Sequence, residues 1–217
     1  MTATFAQSPA FGPESPLYRP PAHFLRGCLG RFATGVAVVT FTDPDGAPHG
    51  ITVNSFTSVS LDPPLILVAL QRTVRSHDLL RDRCYTVNVL GAEQLELAKR
   101  FAGGKQREHG AGGKQREHGT GGKQKEHSAG GKQGQHSAGK PLPLLEPGWT
   151  EGEHAPRLAG SLCYFECAPW AEYDGGDHTL FLGEVRRFDY RDGDALGFVN
   201  GQFTVIPQST AGHEALL

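Results

Sequence analysis

The 217-residue sequence predicts a mainly β protein of the α+β kind, a barrel of short strands with two or three short helices. Three observations lead there. Extended apolar or alternating runs recur between turn signals at Asp45-Gly46, Asp62-Pro63-Pro64, Asp174-Gly175-Gly176 and Arg191-Asp192-Gly193. Helical spacing is confined to a few short segments. No GxGxxG follows a strand and opens a helix, so a doubly wound dinucleotide-binding fold is not supported.

Residues 1–20 read as a flexible leader. They lack a basic stretch followed by an apolar core and so do not form a secretory signal. One domain is expected over 21–207, followed by an uninformative tail at 208–217. Ala22, Leu25, Leu29 and Phe32 recur at helical spacing, which predicts a short amphipathic helix over 21–33. Val36 to Thr42 is apolar on both faces, as a central strand requires. Asp45-Gly46 is a hairpin signal that returns the chain toward Ile51.

Residues 51–61 alternate. Ile51, Val53, Val59 and Leu61 are expected on one face, with Thr52, Asn54, Ser58 and Ser60 on the other. The stretch contains no Lys, Arg, Asp or Glu. An edge strand rich in Thr and Ser and a strand that offers hydroxyls and an amide to a ligand share this pattern. Leu65 to Leu70 predicts the next strand, and Ser76 is placed as the N-cap of a short helix. A strand is expected over 85–90 and a helix over 92–101, with Leu95, Ala98 and Phe101 on one side. Strands are expected again over 158–170, 178–188 and 196–200.

Between them, residues 103–138 are four tandem nine-residue units, GGKQREHGA, GGKQREHGT, GGKQKEHSA and GGKQGQHSA. They contain no Val, Ile, Leu, Phe, Trp or Tyr and cannot supply a core, so disorder is expected. Their equally spaced His109, His118, His127 and His136 follow from duplication, and no functional metal site is expected of them. The net charge of −2 argues for neither nucleic acid nor a membrane surface. No apolar run approaches the ~20 residues of a spanning helix, and a cytoplasmic location is expected. Of the four cysteines, Cys163 and Cys167 are too far apart along a strand to bond, so reduced packing cysteines are expected.

Three ordered stretches, FATGVAVVT (32–40), HGITVNSFTSVSLDPPLILVAL (49–70) and GDHTLFLGEV (176–185), resemble the short-chain NAD(P)H:flavin oxidoreductase family. The resemblance runs from about Phe24 to about Phe203, interrupted by the repeat. It implies a split β-barrel of the six-stranded type and NAD(P)H-dependent reduction of FMN or FAD. It also implies a homodimer with flavin near its interface, and reduced flavin supplied to a partner flavin-dependent monooxygenase. Two alternatives stay open: a split-barrel protein that keeps FMN bound and reduces something else, and a non-catalytic flavin-binding protein.

By the same resemblance, Thr52, Val53, Asn54, Ser55 and Phe56, with Ser58 and Val59 following, match the segment that contacts the isoalloxazine. Hydroxyls, an amide and backbone groups suit its pyrimidine edge. Thr73, Arg75 and Ser76, preceded by Arg72, match a phosphate-side segment ahead of a helix. Phe101 matches an aromatic near the outer part of the flavin; its helical spacing suits a core residue equally. His178 matches the family's histidine near the reactive face, where positioning of the nicotinamide is expected rather than proton donation. NADH is preferred over NADPH as donor, because no basic pocket for a 2′-phosphate can be placed.

Overall fold

The computed structural model describes residues 21–102 and 148–208. The expected leader, the nine-residue repeats and the tail after Gln208 lie outside them. Helix α1 (Ala22–Leu29) leads into strands β1 (Thr34–Gly35), β2 (Ala37–Thr42), β3 (Pro48–Val53), β4 (Thr57–Leu61) and β5 (Pro64–Gln71). Helix α2 (Arg75–Leu80), strand β6 (Tyr85–Val89), a 3₁₀ turn (Ala92–Gln94) and helix α3 (Leu95–Phe101) follow. The chain resumes with β7 (Trp149–Thr150), β8 (Arg157–Leu158), β9 (Cys163–Gly175), β10 (His178–Tyr190), β11 (Ala195–Val199) and β12 (Gln202–Ile206).

The main sheet is antiparallel and runs β3-β2-β6-β9-β10-β5-β4. Its two end strands, β3 and β4, do not pair, so the barrel stays split. The sheet holds seven strands against the expected six-stranded type, because the run 51–61 is two strands rather than one. The chain leaves the sheet at Asn54 and re-enters it on the opposite edge at Thr57.

Strand β2 shows why its residues are apolar on both faces. Ala37, Val39 and Phe41 enter the barrel interior with Val53, Val68, Leu70, Val87 and Phe181. Val38, with the preceding Val36, packs on the other side against Leu90, Ala98, Phe101, Leu158 and Leu196. Two cores thus share one strand. The β2–β3 hairpin is closed by Asp43, whose carboxylate accepts from the Asp45 and Ala47 N–H groups, with Gly46 at φ +84°. Those bonds, the Ala47 N–H foremost, hold its carboxyl below the usual carboxylate range.

Beneath the returning segment 148–158 lies a polar seam. Asn88 is fully buried; its amide donates to the Val38 carbonyl and the Thr40 hydroxyl and accepts from the Leu158 N–H. Glu166, 1% exposed, accepts from the N–H groups of Glu153 and His154. Its other oxygen stands 3.5 Å from Arg157 Nε, close enough for attraction but without hydrogen-bond geometry.

Three expectations need correction. Val59 and Leu61 were expected on the apolar back; they are 49% and 90% exposed. Val59 is the extra residue of a β-bulge between the Ser58–Ile66 and Ser60–Leu65 pairs, and a bulge breaks strict alternation. Helix α1 ends at Leu29, and its apolar stripe is open: Leu25 is 46%, Leu29 64% and the following Phe32 78% exposed. Ser76 is not a cap; Val74 holds that position in an extended conformation, and Ser76 sits in the first turn of α2. Strand β12, paired to β11, was not foreseen.

All four cysteines are free. Burial pushes the Cys163 thiol up to about 11 and, with Cys84 and Glu166 nearby, the Cys167 thiol to about 12. At pH 8 a thiol at about 11 is ionised in only about one molecule in a thousand. A colorimetric thiol reagent should therefore label exposed Cys28 quickly in the native protein and reach Cys163 and Cys167 only after denaturation. Fast native labelling of all four would contradict these burials.

Candidate functional site

Strands β3 and β4 are free edges, so part of their backbone N–H and C=O groups has no partner strand. The crossing segment 54–56 joins them. Ser55 ties it to β5: its hydroxyl donates to the Ala69 carbonyl at 2.9 Å and accepts from the Ala69 N–H at 3.0 Å. Ala69 pairs with Leu180, and Gln71 pairs with His178, so the crossing lies at the end of the sheet where β10 begins. Helix α2, carrying Arg75 and Ser76, follows β5 there and touches β3. The fold therefore gathers 54–55, 71–76 and 178–179 at one end of the split.

The expected contact residues divide by what their side chains already do. Thr52 donates to the Ala98 carbonyl of α3 at 2.7 Å, and the Ser55 hydroxyl is committed to β5. Val53 is buried in the barrel interior, and Phe56 stacks on Phe165 at 5.5 Å. Asn54, Ser58, Thr73 and Ser76, by contrast, make no side-chain hydrogen bond among the described residues. Asn54, Ser58, Thr73 and Arg75 are exposed, as is Val59 on its bulge. Edge backbone groups with an uncommitted amide and hydroxyls fit the polar rim of an isoalloxazine, and the Thr73–Ser76 hydroxyls with Arg75 fit a phosphate.

Phe101 does not join this group. It is 5% exposed, its ring meets Trp149 edge-on at 5.9 Å, and a Cβ on Gly50 would come within 2.8 Å of it. Of the two readings its spacing allowed, the core reading describes it, and the expected flavin contact is not carried forward.

His178 opens β10 just after the Gly176–Asp177 turn. Its Nδ1 lies 2.7 Å from Asp177 Oδ1, and 42% of its side chain is exposed. That hydrogen bond holds the Asp177 carboxyl below the usual range. The ionised carboxylate can only accept, so Nδ1 carries a proton; in the neutral tautomer this leaves Nε2 as an acceptor.

Two further residues bear on this turn. Arg72 was expected only as the head of the phosphate-side segment; its backbone N–H donates to the Asp177 carbonyl, its Nε to the Gly176 carbonyl (both 3.0 Å), and it pairs with Asp174 at 3.3 Å. The Gly176 N–H, then Arg72, keep the Asp174 carboxyl low. His77 was not singled out; it is 3% exposed, with Nε2 2.8 Å from the Thr179 hydroxyl. Its spacing of three from buried Leu80, on one face of α2, was the available signal. A separate surface cleft of about 340 Å³, lined by Leu80, Arg81, Arg83, Trp170 and Glu172 among others, contains none of the expected site residues.

The open-edged barrel, with a polar crossing segment beside a Gly-Asp-His turn, has the form of a flavin reductase-like protein. The sequence match agrees: residues 29–207 match the flavin reductase like domain, and the chain belongs to that family. It is 36% identical over 182 residues to the FMN reductase (NADH) SmoA of Agrobacterium fabrum, covering 82% of this chain and 83% of that protein. Among solved structures it resembles BorF, the flavin reductase component of a bacterial two-component tryptophan halogenase. There the TM-score is 0.65 at 36% identity, over 87% of this chain and 100% of that one. It also resembles the NADH:FAD oxidoreductase SgcE6 of Streptomyces globisporus C-1027, solved with NAD and FAD fragments. That match has a TM-score of 0.62 at 32% identity, over 84% of this chain and 91% of that one.

With the hydroxyls of Thr52 and Ser55 engaged inside the protein, Asn54 becomes the sharper probe of the slot. Asn54→Leu should weaken FMN binding about fivefold, on the order of 1 kcal/mol for a lost hydrogen bond, with little change in the thermal midpoint. Fluorescence titration of FMN checks it; unchanged affinity would leave the crossing segment an ordinary edge.

Proposed function

We infer that this protein is an NADH-dependent flavin reductase that takes FMN or FAD as exchangeable substrate and releases reduced flavin to a separate monooxygenase. The observation that supports this most directly is the gathering of Asn54, Thr73–Ser76 and His178 at one end of the split, in a chain of this family. Bound together, the nicotinamide supplies a hydride and the flavin accepts it. Asn54 and the edge backbone of 52–58 orient the ring, while Thr73, Arg75 and Ser76 hold the phosphate. His178 Nε2 accepts from the nicotinamide carboxamide and so stacks the donor ring at reacting distance. None of these residues offers a covalent attachment to the ring, which suits a flavin that comes and goes.

The protein acts as a homodimer in the cytoplasm. The exposed apolar residues Leu29, Phe32, Val59 and Leu61 support association, since a second copy would cover them. Among the described residues no helix is long and apolar enough to cross a membrane. Light scattering should give twice the chain mass.

Steady-state NADH oxidation with FMN, FAD and riboflavin, following free and bound flavin separately, tests the activity. Many turnovers of free flavin per protein are expected. A single turnover of flavin that stays bound would instead identify a flavoprotein acting on another substrate, and no turnover a flavin-binding protein.

A further inference from the structure

We propose that Arg72 and His77 are positioning residues that couple the phosphate side of the site to His178. This rests on the flavin-reductase reading above. His178 follows a two-residue turn, and a turn of that kind has few restraints of its own beyond the Asp174 carboxylate that accepts from the Gly176 N–H. What restrains it from outside is the segment 72–77. On one side of His178, the Arg72 backbone N–H holds the Asp177 carbonyl, while its guanidinium, the part that Arg72→Met removes, holds the Gly176 carbonyl and reaches Asp174. On the other side, Thr179 is 3% exposed and its hydroxyl meets the buried ring of His77.

The His77 ring is engaged on three sides. Asp78 Oδ1 lies 2.8 Å from Nδ1, and Phe181 packs against the ring edge-on at 5.6 Å. The Asp78 carboxylate is exposed and accepts, so Nδ1 carries a proton, and in that neutral tautomer Nε2 accepts from the Thr179 hydroxyl. An apolar side chain would fill this volume without burying two nitrogens. The imidazole adds a directed link from α2 to the residue after His178.

Thr73, Arg75 and Ser76, the proposed phosphate ligands, lie between Arg72 and His77 in the same six-residue stretch. Ordering that stretch on a phosphate therefore also sets the turn and the imidazole beyond it. The nicotinamide should meet a better-placed His178 when the bound flavin carries a phosphate. In this arrangement the phosphate of the acceptor, though remote from the reacting ring, improves recognition of the donor.

The test compares the KM for NADH with FMN and with riboflavin in the wild type, Arg72→Met, Thr179→Val and Thr179→Ser. Arg72 is 38% exposed along its side chain, so its replacement is the least able to disturb folding, and Val keeps the shape of Thr. In the wild type, FMN should give a KM for NADH about fivefold below that with riboflavin. Arg72→Met and Thr179→Val should bring the two values within about twofold, with kcat and the Kd for FMN nearly unchanged. Thr179→Ser, which keeps the hydroxyl, should restore the difference. Folded Arg72→Met and Thr179→Val proteins that retain the wild-type difference would overturn the coupling while leaving the flavin-reductase reading intact. A wild type that shows no such difference overturns it equally. Absence of any NADH turnover in the wild type would overturn both.

Discussion

Replacing His178 with alanine is expected to raise the KM for NADH about tenfold while the Kd for FMN moves less than about twofold. The expectation follows from how the ring is held. Asp177 fixes Nδ1 as donor, so in the neutral ring Nε2 is an acceptor at a set position, 42% of the side chain remaining accessible. A contact made equally in the ground and transition states changes KM alone; one that aligns the hydride also lowers kcat. Asp177 stays ionised through the neutral range, because its carboxyl is held low by His178; the link is lost only as the pH falls through that lowered value. Steady-state kinetics with FMN titration read the two quantities separately. Wild-type kinetics in a folded His178→Ala protein would reduce this histidine to a structural residue.

A second large effect is expected from Glu166→Leu, a loss of stability on the order of 3 kcal/mol. Leucine fills the space but leaves two N–H groups, those of Glu153 and His154, without the buried carboxylate that accepts from them. Arg157, 24% exposed along its side chain, also loses its nearby charge but keeps some access to water, which moderates the penalty. Glu166→Gln should be milder, since an amide oxygen still accepts. Urea unfolding midpoints measure both; equal stability of the Leu variant and the wild type would mean that the segment 151–157 is held some other way.

Local chemistry made much of this fold legible. Asp45-Gly46 closes its hairpin, β2 is apolar on both faces because each faces a core, and Ile51 and Val53 do enter the interior. What failed was set by partners far along the chain. Thr52 and Ser55 looked like open polar groups, yet their acceptors are 46 and 14 residues away. His77 finds Thr179 at a separation of 102. The bulge at Val59 and the jump from one sheet edge to the other at 54–56 have no periodic signature. The site was therefore readable as a list of stretches, through the family resemblance, but not as a division between side chains that hold the barrel and side chains free to meet a ligand.

The strand order has a consequence in time. Strands β9 and β10 come from the far side of the residue 103–147 stretch, yet they lie between β6 and β5, in the middle of the sheet. A ribosome that has finished β6 has made two strands, β5 and β6, whose respective partners β10 and β9 do not yet exist. It must add roughly 70 residues before β9 begins and about 100 before β10 ends, the latter taking about 5 to 20 s at ~5–20 residues per second. Each added nine-residue unit would lengthen that interval by about 0.5 to 2 s. During it the nascent chain carries apolar strands with one edge open, such as Leu65 to Leu70, which has β4 but not yet β10 beside it. Each unit added to the repeat therefore extends the time during which a half-made sheet is open to pairing with another chain.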